Sequence, residues 1–264
     1  MSSPQSIVII PARYDSTRFP GKPLALINGI SMIERVWRIA LRCKQANKVF
    51  VATDSEKIAA HVQAFGANVI MTSADCETGT DRVAEAAAQF ANEDDILVSL
   101  QGDAVLTPPW VIDEMLSVMK ENSTISMSTP AVKLMGQALV DFMNHKKISP
   151  SSGTTVVLDK EGKALYFSKQ PIPYQYDLNA PNASMLRHIG LYAYRFKTLK
   201  QLQSLASTPL ERQEKLEQLR ALENGIDICV VMVDYQGRTH GSVDTPHDIK
   251  MVESIIEKEG ELVA

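Results

Sequence analysis

The sequence predicts an α/β fold: a mostly parallel central sheet flanked by helices, with a strand-rich lobe inserted in its second half. Two observations carry this. In the first hundred residues short apolar runs alternate with amphipathic helical patterns until four strands are laid down, an order that implies parallel strands joined by crossovers. Beyond about residue 123 the pattern shifts to short alternating runs, turns and prolines, as expected of hairpins rather than βαβ units.

Each element has a local reason. Ile7–Ile10 is a continuous apolar run, the mark of a strand buried on both faces. Ser31 followed by Glu34 reads as a capping box opening a helix to about Ala46. KVFVAT (Lys48–Thr53) is the second strand, and a helix from Ser55 to Phe65 stops at Gly66. NVIMT is the third strand, TGTDRVAEAAAQF a loop and helix, and DILVSL (Asp95–Leu100) the fourth strand. In the second half, GTTVVLDKEGKALYFS predicts two strands turning around Lys160–Gly162. KQPIPYQYDLNAPNASM, with three prolines, predicts a long loop or lid. RHIGLYAYR alternates as a strand. TPLERQEKLEQLRALENG predicts one helix with Thr208 as cap, Pro209 at its first position and Gly225 as stop. IDICVVMV is a further strand and PHDIKMVESIIEKEG a terminal helix.

Composition narrows the function. A net charge of −4 argues against general nucleic-acid binding, which needs a basic face. Three scattered cysteines, Cys43, Cys76 and Cys229, lack any zinc-like spacing and read as small apolar fillers in a reducing, cytoplasmic setting. No apolar run approaches the ~18 residues of a membrane span. No two glycines are two residues apart, so the dinucleotide pattern G-x-G-x-x-G is absent and a dehydrogenase loses its main support. The Walker pattern fails as well, with Ser16 where its first glycine belongs and Pro23 after Lys22.

Ligands of open parallel sheets bind beyond the carboxyl ends of the strands. Four such ends are polar here: PARYDSTRFPGKP, VATDS, MTSADCETGTDR and LQGDA. Arg13, Arg18 and Lys22 converge from the first and suit a phosphate chain, since arginine's planar fork grips phosphate oxygens in pairs. Asp103 sits at a strand tip, where a carboxylate can hold Mg²⁺ beside phosphates or merely cap a turn. Asp244 precedes a Thr-Pro helix start and has the same two readings. Of five histidines, His188 stands beside the lid, though a lone strand histidine is more often structural; His61, His145, His240 and His247 read as surface. Glu217 and Gln218 lie at a core boundary between Leu216 and Leu219.

In this order PARYDSTRFPGKPL, VATDS, MTSADCETGTDR, LQGD, ALYFSKQPIP, RHIGLYAYR, LEQLRALENG and VDTPHDI resemble the motifs of CMP-Kdo synthetases, the 3-deoxy-manno-octulosonate cytidylyltransferases. The resemblance spans nearly the whole chain. It implies a Rossmann-like nucleotidyltransferase of one domain, 1–264, with a nucleotide-binding half (1–123) and a sugar-binding and dimerisation half (124–264). The implied reaction joins Kdo to CTP, giving CMP-Kdo for lipopolysaccharide assembly and pyrophosphate, in a cytoplasmic homodimer that uses Mg²⁺. By resemblance Arg13, Arg18 and Lys22 hold the triphosphate. Pro11, Ala12, Thr78, Gly79, Thr80, Arg82 and Gln101 lie on the cytidine side. Asp103 and Asp244 hold the metal, and with Lys22 and Arg13 make up the catalytic set. His188, Tyr192, Glu217 and Gln218 line the sugar pocket.

Departures from the family pattern cluster on the sugar side. QGDAV stands for QGDEP, SPSSGTTVV for NPNAVKVV (so that the motif lysine is missing), and YFSK at Lys169 for YFSR. Two alternatives follow: the same chemistry on 8-amino-Kdo or another keto-acid sugar such as sialic acid, and a non-catalytic nucleotide-binding homologue. Retention of Lys22, both arginines and both aspartates argues against the second.

Overall fold

The computed structural model describes residues 3–15, 19–178 and 180–263. The chain starts with β1 (Ser6–Ala12), a 3-10 turn (Lys22–Leu24), and a small hairpin of β2 (Leu26–Ile27) and β3 (Ile30–Ser31). There follow α1 (Met32–Leu41), β4 (Lys48–Thr53), α2 (Glu56–Ala64), β5 (Asn68–Met71), α3 (Gly79–Ala88), β6 (Ile96–Ser99) and α4 (Pro109–Glu121). Next come β7 (Met127–Met135), α5 (Gly136–Ile148), β8 (Thr154–Leu158), β9 (Ala164–Ser168), β10 (Ser184–His188) and β11 (Tyr192–Arg195). The chain closes with α6 (Phe196–Ser204), α7 (Pro209–Glu214), α8 (Leu219–Glu223), β12 (Cys229–Met232) and α9 (Pro246–Glu259).

Two compact units divide these elements. The first takes in the residues up to Ser117, Ala193–Lys200 and everything from Tyr235 on; the second takes in Val118–Tyr192 and Gln201–Asp234. Residues 235–264, last in sequence, thus belong with the first unit.

The first unit holds strands in the order β5-β4-β1-β6-β11, and the pairs β5/β4, β4/β1 and β1/β6 are parallel. Every residue of β1 is buried, as its unbroken apolar run requires. Burying each of Ile7, Ile9 and Ile10 contributes roughly 2 kcal/mol. Helix α3 packs on β1, β4 and β6, α1 on β1 and β4, and α2 on β4 and β5. Ser31 caps α1 by accepting from the Glu34 amide, but the Glu34 carboxylate turns to Arg38 at 2.6 Å. His61 is not simply a surface residue: its Nε2 lies 2.8 Å from the capping Ser31 hydroxyl. The chain builds outward from β1 to β4 and β5, then crosses to β6 on the other side of β1. Loops leaving β1 and β6 therefore diverge, and a crevice opens at their carboxyl ends.

The second unit is mostly antiparallel. β10 pairs β7 and β8, β8 pairs β9, and β12 joins β7 in parallel. The turn between β8 and β9 is the expected one: Asp159 Oδ1 accepts from the amides of Glu161 and Lys163, and Gly162 takes φ +82°. Two expected elements are broken. RHIGLYAYR is two strands, because the Ile189 amide leaves the ladder for the Pro130 carbonyl and the Leu191 amide turns back on Ile189. The helix expected over Thr208–Gly225 splits at Lys215, which takes φ +54°. The split brings Arg220 onto Glu211 at 2.5 and 3.0 Å. In one unbroken helix nine residues of rise, about 13 Å, would part them. No helix among the described residues is long and apolar enough to cross a membrane.

Candidate functional site

The crevice beside β1 and β6 is a cavity of about 260 Å³ whose lining, among the described residues, comes from the first unit. Pro11, Ala12 and Arg13 reach it from the end of β1, and Gln101, Gly102 and Asp103 from the end of β6. Lys22 and Pro23 come from the 3-10 turn, Cys76 to Gly79 and Arg82 from the start of α3, and Asp244 from the segment before α9. Of the residues assigned to the nucleotide and metal, Thr80 lies on the first turn of α3 without lining this cavity. Arg18 lies outside the described residues.

Two glycines permit this convergence. A Cβ on Gly102 would sit 3.0 Å from the Pro11 carbonyl oxygen, so the loop after β6 packs against β1 only without a side chain. A Cβ on Gly79 would meet Gln101 Oε1 at 3.0 Å and Pro11 Cγ at 3.4 Å. Thr78 caps α3 reciprocally with Asp81, so the positive end of that helix opens on the cavity wall. Gly21, at φ +71°, turns the chain so that Lys22 points inward.

Inside, the Lys22 ammonium donates to Asp103 Oδ2 at 2.5 Å and to the Val243 carbonyl at 2.9 Å. The Val243 amide in turn donates to the Asp103 carbonyl at 3.3 Å. That exchange draws the segment before α9 onto the loop after β6, and so brings Asp244 to the cavity that Asp103 lines. The Asp244 amide donates to Asp248, which closes the N-terminal box of α9 with Thr245. Capping is therefore the work of Thr245 and Asp248, and the Asp244 carboxylate is not the cap. Among the described residues no group of three or more His, Cys, Asp or Glu forms a metal cage. Two hard carboxylates from separate segments nonetheless fit Mg²⁺, which takes one or two carboxylates and completes its shell from phosphate and water.

Arg82 is almost fully buried, and its guanidinium braces the neighbouring strand ends. It donates to Thr72 Oγ1 at 2.5 Å and lies 3.4 Å from Asp54 Oδ1. This ties VATDS to MTSAD, two of the polar strand ends read from the sequence. Cys76 and Glu77 line the cavity as well, which the sequence reading passed over. Cys76 is no apolar filler: its thiol donates to Glu85 at 3.1 Å. Burial first, and then the Glu85 carboxylate, push its pKa up to about 12.

The four residues assigned to a sugar lie in the second unit. His188, at the end of β10, is buried, with Nε2 2.8 Å from Thr129 Oγ1 and its ring edge-on to Phe167 at 5.0 Å. The Tyr192 ring lies 5.5 Å from it. Burial, then the charge of Glu217, raises the Tyr192 phenol well above its ordinary 10.0, so it remains a donor at neutral pH. Gln218 is buried, and its amide nitrogen has no hydrogen-bond partner among the described residues. A buried orphan donor is costly, and a polar ligand is one way to satisfy it.

A family model described as cytidylyltransferase matches residues 7–228. The 3-deoxy-manno-octulosonate cytidylyltransferase of Maricaulis maris (strain MCS10) is 48% identical over 259 residues, covering 97% of this chain and 99% of its own. That of Myxococcus xanthus (strain DK1622) is 41% identical over 264 residues, covering 98% and 100%. A solved CMP:2-keto-3-deoxy-manno-octonic acid synthetase complexed with CTP superposes with a TM-score of 0.85 at 35% identity, covering 97% of this chain and 99% of that one. A 4-diphosphocytidyl-2C-methyl-D-erythritol synthase, 13% identical with a TM-score of 0.62, shares the fold.

Proposed function

Because the chain belongs to the cytidylyltransferase family, we propose that it joins CTP to a 3-deoxy-octulosonic acid, Kdo, releasing pyrophosphate and supplying lipopolysaccharide assembly. The single observation that carries this reading is the convergence of Arg13, Lys22, Asp103 and Asp244 on one cavity. Basic side chains for a phosphate chain and paired carboxylates for a hard cation are what nucleotidyl transfer requires.

In this mechanism Arg13, Arg18 and Lys22 grip the triphosphate and neutralise the charge that grows on the departing pyrophosphate. Pro11, Ala12, Gln101 and the first turn of α3, with Thr78, Gly79, Thr80 and Arg82, form the cytidine side. Asp103 and Asp244 would hold Mg²⁺, which would supply charge stabilisation for the phosphates and lower the pKa of the sugar hydroxyl. Lys22 exchanges its contact with Asp103 for the phosphates as nucleotide arrives. His188, Tyr192, Glu217 and Gln218 orient the sugar so that its anomeric hydroxyl attacks the α-phosphorus, with Gln218 supplying an amide donor. No side chain is required as general base.

Magnesium, the homodimer and a cytoplasmic setting enter with the resemblance to the CMP-Kdo synthetases. Light scattering on the purified protein tests the dimer. Mass spectrometry of reactions with Kdo, Mg²⁺ and each of CTP, UTP, ATP and GTP tests the reaction. A nucleoside monophosphate–sugar adduct formed with CTP in strong preference is the expected product; no adduct with any of the four rejects the reading.

A further inference from the structure

The SPSSGTTVV segment lacks the lysine of the motif it resembles, yet a buried lysine reaches the same neighbourhood from another element. Lys146, on α5, is 6% exposed, and no carboxylate among the described residues pairs with it. Its three ammonium protons all go to main-chain carbonyls: Pro150 at 3.1 Å, Gly153 at 2.7 Å and Lys169 at 2.5 Å. Burial, then the nearby charge of Arg187, holds its pKa below the ordinary lysine value. A buried ammonium is costly, and an apolar side chain would serve packing alone at less expense.

Glu214, on α7, takes the other side of the same residue. It accepts from the Lys169 amide at 2.9 Å and from Ser168 Oγ at 2.7 Å. The peptide groups flanking Lys169 are therefore held between a carboxylate and an ammonium. Thr155, standing where the motif has its lysine, completes the support: its hydroxyl lies on the Gln170 carbonyl at 2.8 Å and accepts from the Ile172 amide at 3.1 Å. Just past the end of β9, side chains thus replace the missing strand partners.

The register shows what this support carries. Thr155 is opposite Ser168, and Thr154 is opposite His188. Lys169 follows directly on Ser168, the last paired residue of β9, and Thr155 is the chain neighbour of the Thr154 that faces His188. Lys169 is also two residues beyond Phe167, whose ring contacts His188.

We propose that Lys146 and Glu214 are positioning residues for sugar recognition, clamping the Lys169 peptide from both sides at the end of the strand whose Phe167 packs on His188. The inference rests on the proposed sugar reaction. Neither residue touches substrate; each acts through the main chain of residue 169.

Two variants test it, Lys146→Met and Glu214→Gln, the second at a partly exposed site where folding is not at stake. KM for the sugar is expected to rise about tenfold in each while KM for CTP stays within about twofold, as befits a misplaced contact. Hydrogen exchange of the Lys169 amide should accelerate in Glu214→Gln, read on the whole protein without substrate. An equal rise in both KM values, or unchanged sugar KM with faster exchange, overturns the positioning role. Unchanged exchange in both variants overturns the clamp. Should the wild-type protein turn over no sugar, the proposed reaction falls, and the exchange measurement still decides the clamp.

Discussion

Lys22 and Asp103 form an ion pair of 2.5 Å, in which the same ammonium also holds the Val243 carbonyl at 2.9 Å. One cation thus occupies the position between the loop after β6 and the segment carrying Asp244. In the proposed reaction Lys22 gives up this pairing for the triphosphate, and Asp103 would then be free to hold Mg²⁺ with Asp244.

Lys22→Ala removes both roles. Its kcat/KM with CTP should fall by about 10²-fold, in the range for losing one charged transition-state contact. The KM for sugar should change little. Steady-state kinetics with each substrate varied in turn checks this, and equal effects on both substrates would contradict a triphosphate role.

Asp103→Ala should abolish turnover while CTP binding without metal persists. Calorimetry with and without Mg²⁺ separates the two: the variant should lose the metal-dependent gain in affinity and keep the metal-free component. Near-normal activity in the variant would remove Asp103 from the metal site.

The two close-packed glycines should respond differently. Gly102→Ala drives a Cβ against the Pro11 carbonyl, a main-chain atom that cannot swing aside, and should cost about 1–3 kcal/mol of stability. At Gly79 the nearest atoms belong to the flexible Gln101 amide. Gly79→Ala should leave stability nearly unchanged while weakening CTP binding. Urea unfolding and nucleotide titration on the same preparations measure both.

The Glu211–Arg220 pair gives a stability prediction with a sign. Burial pushes the Glu211 carboxyl up, but Arg220 and the Thr208 amide outweigh it, so its folded pKa lies below the ordinary 4.5. A depressed carboxyl contributes stability that is full above 4.5 and is lost as pH falls through the folded value. Glu211→Ala strands the Arg220 guanidinium and should cost about 3 kcal/mol near pH 7. The gap between wild type and variant should narrow as pH falls below 4.5 and through the lower folded value; a gap independent of pH would mean the pair is not the source.

These predictions draw unequally on the sequence. Strand ends and helix starts were legible because their signals are local: the apolar run Ile7–Ile10, the Ser31 cap, the Thr208-Pro209 helix start, the glycine at 162. Strand β7 was not, since Pro130 sits inside it and a proline argues against a paired strand; here the Pro130 carbonyl does the pairing. The break at Lys215 was equally hidden, because a contact nine residues away outweighs good helical propensity. In the site, charge type and position at strand ends pointed to side chains that the fold brings to one cavity, Arg13, Lys22, Asp103 and Asp244 among them. What no spacing reveals is their mutual bonding: Lys22 on Asp103, Arg82 on Thr72 and Asp54, and the Cys76 thiol on Glu85.

Pyrophosphate release by the purified protein with CTP and Mg²⁺, compared across Kdo, 8-amino-Kdo and N-acetylneuraminate, tests the proposed reaction most directly. Release with Kdo, lost in Asp103→Ala, is the expected result. Release with another of the three sugars alone would reassign the substrate while keeping the chemistry. Tight CTP binding with no release from any of them would contradict catalysis altogether.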